Sequence, residues 1–225
     1  TPYLQALDRN AFGNYRTLLN EITLTPAMGE YLDMRLSTRT NPNENFAREV
    51  LQLFSIGTDV LNPDGTVQRD AQGATIPSYT QNDVNEFTRV FTGWNFARAI
   101  GAGITNFRDP MLPRGGQNHD AGAKTLLNGF SVPACTSTTS AQNIACAQSD
   151  MAAVMAHLAD HPNVGPFISK QLIQHLVTSN PSPAYVERVA RVFNNDCNGL
   201  YSQGCTNTRG NLRFVVQAIL LDPEA

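Results

Sequence analysis

Apolar side chains recur at helical spacing along most of the chain, and this periodicity constrains the fold more than any other feature. It fails in residues 57–79, where turn-forming sequences surround short β-forming pairs such as Thr66-Val67, which predicts a small hairpin. It fails again in residues 97–147, which predicts a long irregular segment before helices resume at Ser149. The expected fold class is therefore mainly α: one irregular multi-helix domain over residues 1–225, with a small β-hairpin insertion and long loops.

Two helix starts carry explicit capping signals. The segment Asn41-Pro42-Asn43-Glu44 offers a cap, a first-turn proline and a capping-box carboxylate, which predicts a helix over residues 42–56 that ends at Gly57. The segment Thr80-Gln81-Asn82-Asp83 has the spacing of a second capping box. The apolar face that follows it ends at Trp94, for which a core position is more consistent than a sugar-stacking surface.

Charge and composition exclude two classes of partner. With 16 basic and 19 acidic side chains, a net charge of −3 and no Lys/Arg cluster, the chain lacks the positive surface that nucleic-acid binding requires. No apolar stretch approaches the roughly 20 residues of a membrane span. Only 16% of the residues are charged, and the uncharged polar surface that results is common in exported proteins.

The four cysteines, Cys135, Cys146, Cys197 and Cys205, suit a disulfide set with three possible pairings. Pairing Cys135 with Cys146 and Cys197 with Cys205 would close two short polar loops, so local pairing is favoured. The alternative is a four-thiolate zinc site, although such sites use closer cysteine pairs. Disulfides would indicate an oxidising compartment.

Several short motifs occur in order along the chain: Ala11-Phe12-Gly13-Asn14-Tyr15-Arg16, the run from Asn43 to Glu49, Thr92-Gly93-Trp94, His119-Asp120 with Lys124, and His161-Pro162. Together they resemble the bacterial family catalogued as domain of unknown function 1800 (DUF1800). Because its members are longer, exported and largely helical, the resemblance implies that the chain is a central piece of a periplasmic, cell-surface or extracellular protein. It implies no reaction.

Glu49 is the first candidate catalytic residue. On a helical wheel that starts at Phe46, its carboxylate falls between Leu53 and Ile56 on the apolar side. A buried carboxylate is either a tuned acid or base, or half of a structural pair. We therefore expect Glu49 to be largely buried with a partner from distant sequence, first His119 or His161 and then Lys124.

His119 and Asp120 are the other candidate catalytic residues, because they lie together in the glycine-rich loop region. They could form a base with its neighbour or bind a metal, with Lys124 adding a positive charge, or Asp120 could cap a turn. His157 and His161 have the spacing of a helical metal pair, but Pro162 disfavours helical geometry at His161. Candidate binding residues are Asn45, Trp94, Lys124 and His161.

The sequence carries no nucleophile elbow, phosphate-binding glycine loop or Cys/His nucleophile pattern. Two hypotheses therefore stay open. The first is a hydrolase-like or metal-assisted enzyme that acts on extracellular polymers, and the second is a non-catalytic module of the cell surface or extracellular matrix. No cofactor, metal or oligomeric state is identified. The hypotheses differ in whether Glu49 and His119 share a water-accessible cleft.

Overall fold

The computed structural model describes residues 1–225 and confirms the mainly α fold class. Nine α-helices, three single-turn 3-10 helices and four short strands make up its regular structure. The helices are α1 (Pro2–Asn10), α2 (Tyr15–Thr23), α3 (Pro26–Tyr31), α4 (Asn45–Gln52), α5 (Gln81–Val90), α6 (Ser140–Asp160), α7 (Val164–Leu176), α8 (Pro183–Asn194) and α9 (Leu212–Leu220). The strands are β1 (Trp94–Asn95), β2 (Leu112–Pro113), β3 (Lys124–Leu126) and β4 (Phe130–Val132), in the antiparallel pairs β1–β2 and β3–β4. None of the helices combines the length and apolar character that crossing a bilayer requires.

The two predicted capping signals have different outcomes. The box before α5 is confirmed, because Asp83 N–H donates to Thr80 Oγ1 and the Asp83 carboxylate accepts the Thr80 N–H at 2.7 Å. The predicted helix over residues 42–56 is too long at both ends. Asn41 instead pairs with Thr38 in a β-bridge, and Asn43 Oδ1 accepts the N–H of Asn45, where α4 begins.

Helix α6 begins at Ser140, before the predicted start at Ser149. A capping box explains the earlier start: Gln142 N–H donates to Thr139 Oγ1 at 3.2 Å, and Thr139 N–H donates to Gln142 Oε1 at 3.0 Å. The last part of the predicted irregular segment, from residue 140 onward, is therefore helical.

The predicted hairpin insertion is confirmed as a small meander of isolated β-bridges, which pair Leu61 with Val67 and Arg69 with Thr75. The side chain of Asn163, next to the start of α7, holds this segment. Its Nδ2 donates to the carbonyls of Ile56 and Asp59, and its Oδ1 accepts the N–H of Leu61 at 2.9 Å. The buried side-chain amide of Asn163 thus satisfies backbone groups that would pair with a neighbouring strand in a regular sheet.

The chain divides into two compact units. Unit 1 comprises Thr1–Leu7, Leu19–Leu51 and Tyr79–His157, and unit 2 comprises Asp8–Leu18, Gln52–Ser78 and Leu158–Ala225. The prediction of a single domain over residues 1–225 stays a prediction.

Each unit has its own apolar core. In unit 1, Phe46 of α4 and Phe91 at the end of α5 pack edge to face with ring centroids 4.8 Å apart, and both are buried. In unit 2, α7, α8 and α9 pack on one another, and the buried Tyr185 of α8 donates its hydroxyl to the carbonyl of Ile219 in α9 at 2.6 Å.

Candidate functional site

Three side chains in unit 1, His119, Lys124 and Asp150, form a buried ionic group that we call the buried cluster. Asp150 Oδ2 accepts from Lys124 Nζ at 2.7 Å and lies 3.2 Å from His119 Nε2. His119 and Lys124 are each 1% exposed, and Asp150 is 4% exposed. His119 and Lys124 come from the irregular segment and the start of β3, whereas Asp150 lies on α6.

The ring of His119 lies between two acceptors. Its Nε2 faces the Asp150 carboxylate, and its Nδ1 is 3.0 Å from the carbonyl oxygen of Thr92. A singly protonated imidazole can donate to only one of them. Both ring nitrogens face fixed protein groups, so neither is left for a substrate.

The ammonium group of Lys124 likewise has all its hydrogen bonds made within the protein. Besides Asp150, its Nζ donates to the carbonyls of Asp120 and Gly122, the latter at 2.9 Å. An ammonium group has three protons, so all three are engaged. Lys124 therefore satisfies buried loop carbonyls as well as a carboxylate.

Asp120 belongs to a neighbouring, less buried ion pair. Arg89 of α5 donates to it through Nε (2.9 Å) and Nη2 (3.2 Å), and also binds Glu86 through Nη1. Asp120 Oδ1 also accepts the N–H of Gly122 at 2.9 Å, which is the turn-capping role considered for it. The structure thus places His119, Asp120 and Lys124 close together, but Asp150 engages His119 and Lys124, and Arg89 engages Asp120.

Two further residues hold the backbone around His119. The side-chain amide of Asn143, on α6, accepts the N–H of His119 and donates to its carbonyl, both at 3.0 Å. Gly93 has a φ of +85°, and a Cβ there would lie 2.8 Å from the backbone nitrogen of His119. Only glycine combines this conformation with so close an approach.

Burial and hydrogen bonding act in opposite directions on the two carboxylates. Burial alone would raise the pKa of Asp150, but hydrogen bonds from His119 and Lys124 outweigh it and lower that pKa below its ordinary value. The pKa of Asp120 is likewise lowered, because Arg89 and the N–H of Gly122 outweigh its burial. Both groups are therefore held as carboxylates.

The partner from distant sequence that was expected for Glu49 is not found. The side chain of Glu49 is only half-buried, and neither a hydrogen bond nor an ion pair holds its carboxylate; the interacting charges nearby are Arg48 and Tyr79. The error comes from the wheel, which used Leu53 and Ile56 although α4 ends at Gln52. The residues of α4 that are buried, Phe46, Ala47, Val50 and Leu51, centre the apolar arc away from Glu49.

The candidate binding residues other than Lys124 lie apart from the buried cluster's contacts. Asn45 is the first residue of α4, and its N–H donates to Asn43. Trp94 is 4% exposed in β1, so it presents no open face for stacking. His161 lies in unit 2, and α6 ends before it at Asp160, so His157 and His161 do not share a helix face.

His157 has structural contacts of its own. Its ring stacks on Phe130 with centroids 4.3 Å apart, and its Nε2 lies 3.0 Å from the carbonyl oxygen of Leu127. These contacts orient β4 against α6 and account for a histidine at this position.

The favoured cysteine pairing is confirmed. Cys135 is bonded to Cys146 in unit 1 and Cys197 to Cys205 in unit 2, and no cysteine is free. The first disulfide joins the irregular segment to α6, close in sequence to Asn143.

Sequence reasoning missed Asp150 and Asn143, although a signal for Asp150 exists. Asp150 occupies a buried position of α6, among core residues at helical spacing that also include Ala147, Met151 and Val154. A carboxylate on the apolar face of a helix is the pattern that the sequence analysis assigned to Glu49, and it occurs in α6 at Asp150. Asn143 carries no comparable signal, because exposed asparagines are common near helix starts.

A family model described as a protein of unknown function (DUF1800) matches residues 1–225, the whole of the chain. The chain belongs to this family. No curated protein and no solved structure matches it. Family membership therefore agrees with the resemblance in the sequence motifs and assigns no activity.

Proposed function

We propose that this protein is a non-catalytic module of the bacterial cell surface or extracellular matrix, in which the motif residues His119, Asp120 and Lys124 are structural. The observation that carries the proposal is the saturation of the buried cluster. A general base or metal ligand needs a lone pair or coordination position that a substrate, water or ion can reach. His119 and Lys124 are almost fully buried, and both ends of the imidazole and all three ammonium protons already face protein acceptors.

Export is part of this proposal. Two disulfides persist most readily in an oxidising compartment, and the low charge of the chain, 16% of residues, agrees with an extracellular surface. The enzyme hypothesis required Glu49 and His119 in one water-accessible cleft. The burial of His119 and its existing partners give that hypothesis no support.

Chemical labelling of histidines tests the structural role directly. Diethyl pyrocarbonate modifies accessible, nucleophilic imidazole nitrogens, and peptide mass analysis locates the product. His175, which is exposed on α7, is the internal control. We expect His175 to react in the folded protein and His119 to react only after unfolding with the disulfides intact. Reaction of His119 in the folded protein at a rate close to that of His175 would refute the proposal.

A further inference from the structure

An open groove on unit 1 lies outside the buried cluster and has a volume of about 430 Å³. Volumes of roughly 300–1,000 Å³ are typical of small-molecule sites. We call it the Arg114 groove and define it by Glu30, Arg35, Asn95, Phe96, Phe107 and Arg114. Most of its surface is polar, with two phenylalanine rings inserted.

The aromatic side of the groove is held in place before any ligand arrives. The rings of Phe96 and Phe107 pack edge to face, with centroids 5.0 Å apart, and the guanidinium of Arg35 lies 5.0 Å from the ring centroid of Phe96. Asn106 Nδ2 donates to the carbonyl of Arg98 at 3.0 Å, which joins the two backbone segments that carry the phenylalanines. Phe107 nevertheless remains 57% exposed, so a ring fixed on one side presents surface to solvent on the other.

The charged side of the groove contains one unpaired cation. Arg35 is bound by the carboxylate of Glu30, whose Oε1 accepts from Nη2 at 3.1 Å. The side chain of Arg114 is exposed, and neither a hydrogen bond nor an ion pair engages it. Its backbone is fixed directly after β2, because its N–H donates to the carbonyl of Gly93 at 2.7 Å. A free guanidinium on such a fixed backbone can bind a carboxylate with two parallel hydrogen bonds.

We propose that the Arg114 groove binds a uronic-acid segment of an extracellular polysaccharide. The C–H face of a sugar ring is attracted to the negative face of an aromatic ring, here the exposed side of Phe107. The carboxylate of the uronic acid would pair with Arg114, and the Glu30 carboxylate is an acceptor for sugar hydroxyls. A largely polar groove suits a hydroxyl-rich chain better than a peptide, which would need apolar sockets for its side chains.

This inference rests on the proposed function, since it names the ligand class of the same extracellular module. It is tested with the full chain by isothermal titration calorimetry against short oligogalacturonides, with uncharged glucose oligomers of matched length as the control ligand. We expect the oligogalacturonides to bind, the uncharged oligomers to bind at least about tenfold more weakly, and added salt to reduce the affinity.

Variants at exposed positions separate the two contacts. Arg114→Gln and Phe107→Ala should each weaken oligogalacturonide binding about tenfold or more, because each removes one of the two recognition elements. Arg108→Gln and Ile104→Ala are the matched controls, since both residues are exposed nearby and neither lines the groove. Arg114→Gln and the two controls change surface side chains, so their thermal unfolding should be unchanged. Phe107→Ala also removes the ring contact with Phe96, so its binding is measured at a temperature where its unfolding curve shows it fully folded.

Absence of oligogalacturonide binding, equal binding of the uncharged oligomers, or unchanged binding by Arg114→Gln would each overturn the assignment. Binding of an acidic peptide in preference to the oligogalacturonides would also overturn it. These failures are distinguishable from failure of the proposed function, which is decided by the reactivity of His119. Protected His119 without oligogalacturonide binding leaves the non-catalytic role standing and removes only the ligand class.

Discussion

Replacement of Asp150 by Asn removes the only carboxylate that His119 and Lys124 share, while it keeps the shape of the side chain. Both partners are about 1% exposed, so solvent cannot replace the lost charge. Breaking a buried ion pair from one side typically costs about 3–5 kcal/mol of the free energy of unfolding, because an uncompensated charge stays behind. In a chain of this length, that cost corresponds to a melting temperature lower by about 6–20 °C.

The single tryptophan makes the measurement specific. Trp94 is buried in unit 1, and its neighbour Gly93 contacts the backbone of His119, so tryptophan fluorescence during urea unfolding reports on the region of the cluster. Asp70→Asn is the matched control. Asp70 is an exposed turn residue whose Oδ1 accepts two backbone N–H groups, a role that an asparagine oxygen can also fill, so a change within about 0.5 kcal/mol is expected.

A double variant tests whether charge removal is the cause. Lys124→Met and Asp150→Asn break the same ion pair, so the two together should cost less than the sum of the two single variants, although Lys124→Met also leaves the carbonyls of Asp120 and Gly122 without their donor. If Asp150→Asn changes the free energy of unfolding no more than Asp70→Asn does, Asp150 is not a buried ionic partner and the structural account of the cluster is wrong.

Three further predictions concern the same region. Gly93→Ala should destabilise the protein by more than Gly73→Ala in thermal unfolding, since both glycines have positive φ but only Gly93 meets backbone atoms; equal effects would contradict the close approach to His119. Replacing Cys135 and Cys146 together by Ala should cost about 3 kcal/mol of unfolding free energy in urea, because the bond closes a short loop; no loss would contradict that estimate. Because the folded-state pKa of Asp150 is lowered, its carboxylate should contribute fully to the free energy of unfolding above its unfolded pKa of about 3.9 and lose this contribution as the pH falls further. The free energy of unfolding of Asp150→Asn should therefore depend less on pH in acid than that of the unchanged protein.

Local chemistry made part of the fold predictable. The box formed by Thr80 and Asp83 was recognised because its donors and acceptors are three residues apart in sequence. The start of α6 at Thr139 and Gln142 uses the same chemistry, but the apolar pattern that follows it is weak and does not predict a helix. The end of α4 at Gln52 has no local signal before Gly57, so the sequence predicts too long a helix.

The loop residues of the candidate site are predictable from sequence, but their partners are not. His119, Asp120 and Lys124 stand out in sequence because charged residues and histidine are unexpected in a glycine-rich segment. Their partners, Asp150 and Arg89, lie on helices far along the chain, and helical periodicity identifies a buried position without saying which loop residue meets it. Pairing across such distances depends on the tertiary fold, which sequence patterns alone do not specify.

The chemistry of the buried cluster follows from the irregular backbone around it. A buried loop cannot satisfy its N–H and carbonyl groups within a helix or sheet, and each unsatisfied group would cost free energy. Here the ammonium of Lys124 satisfies the carbonyls of Asp120 and Gly122, and the amide of Asn143 satisfies both backbone groups of His119. Apolar side chains could fill the same volume but could not accept or donate these bonds. The burial of this loop therefore gives its polar and charged residues a structural role.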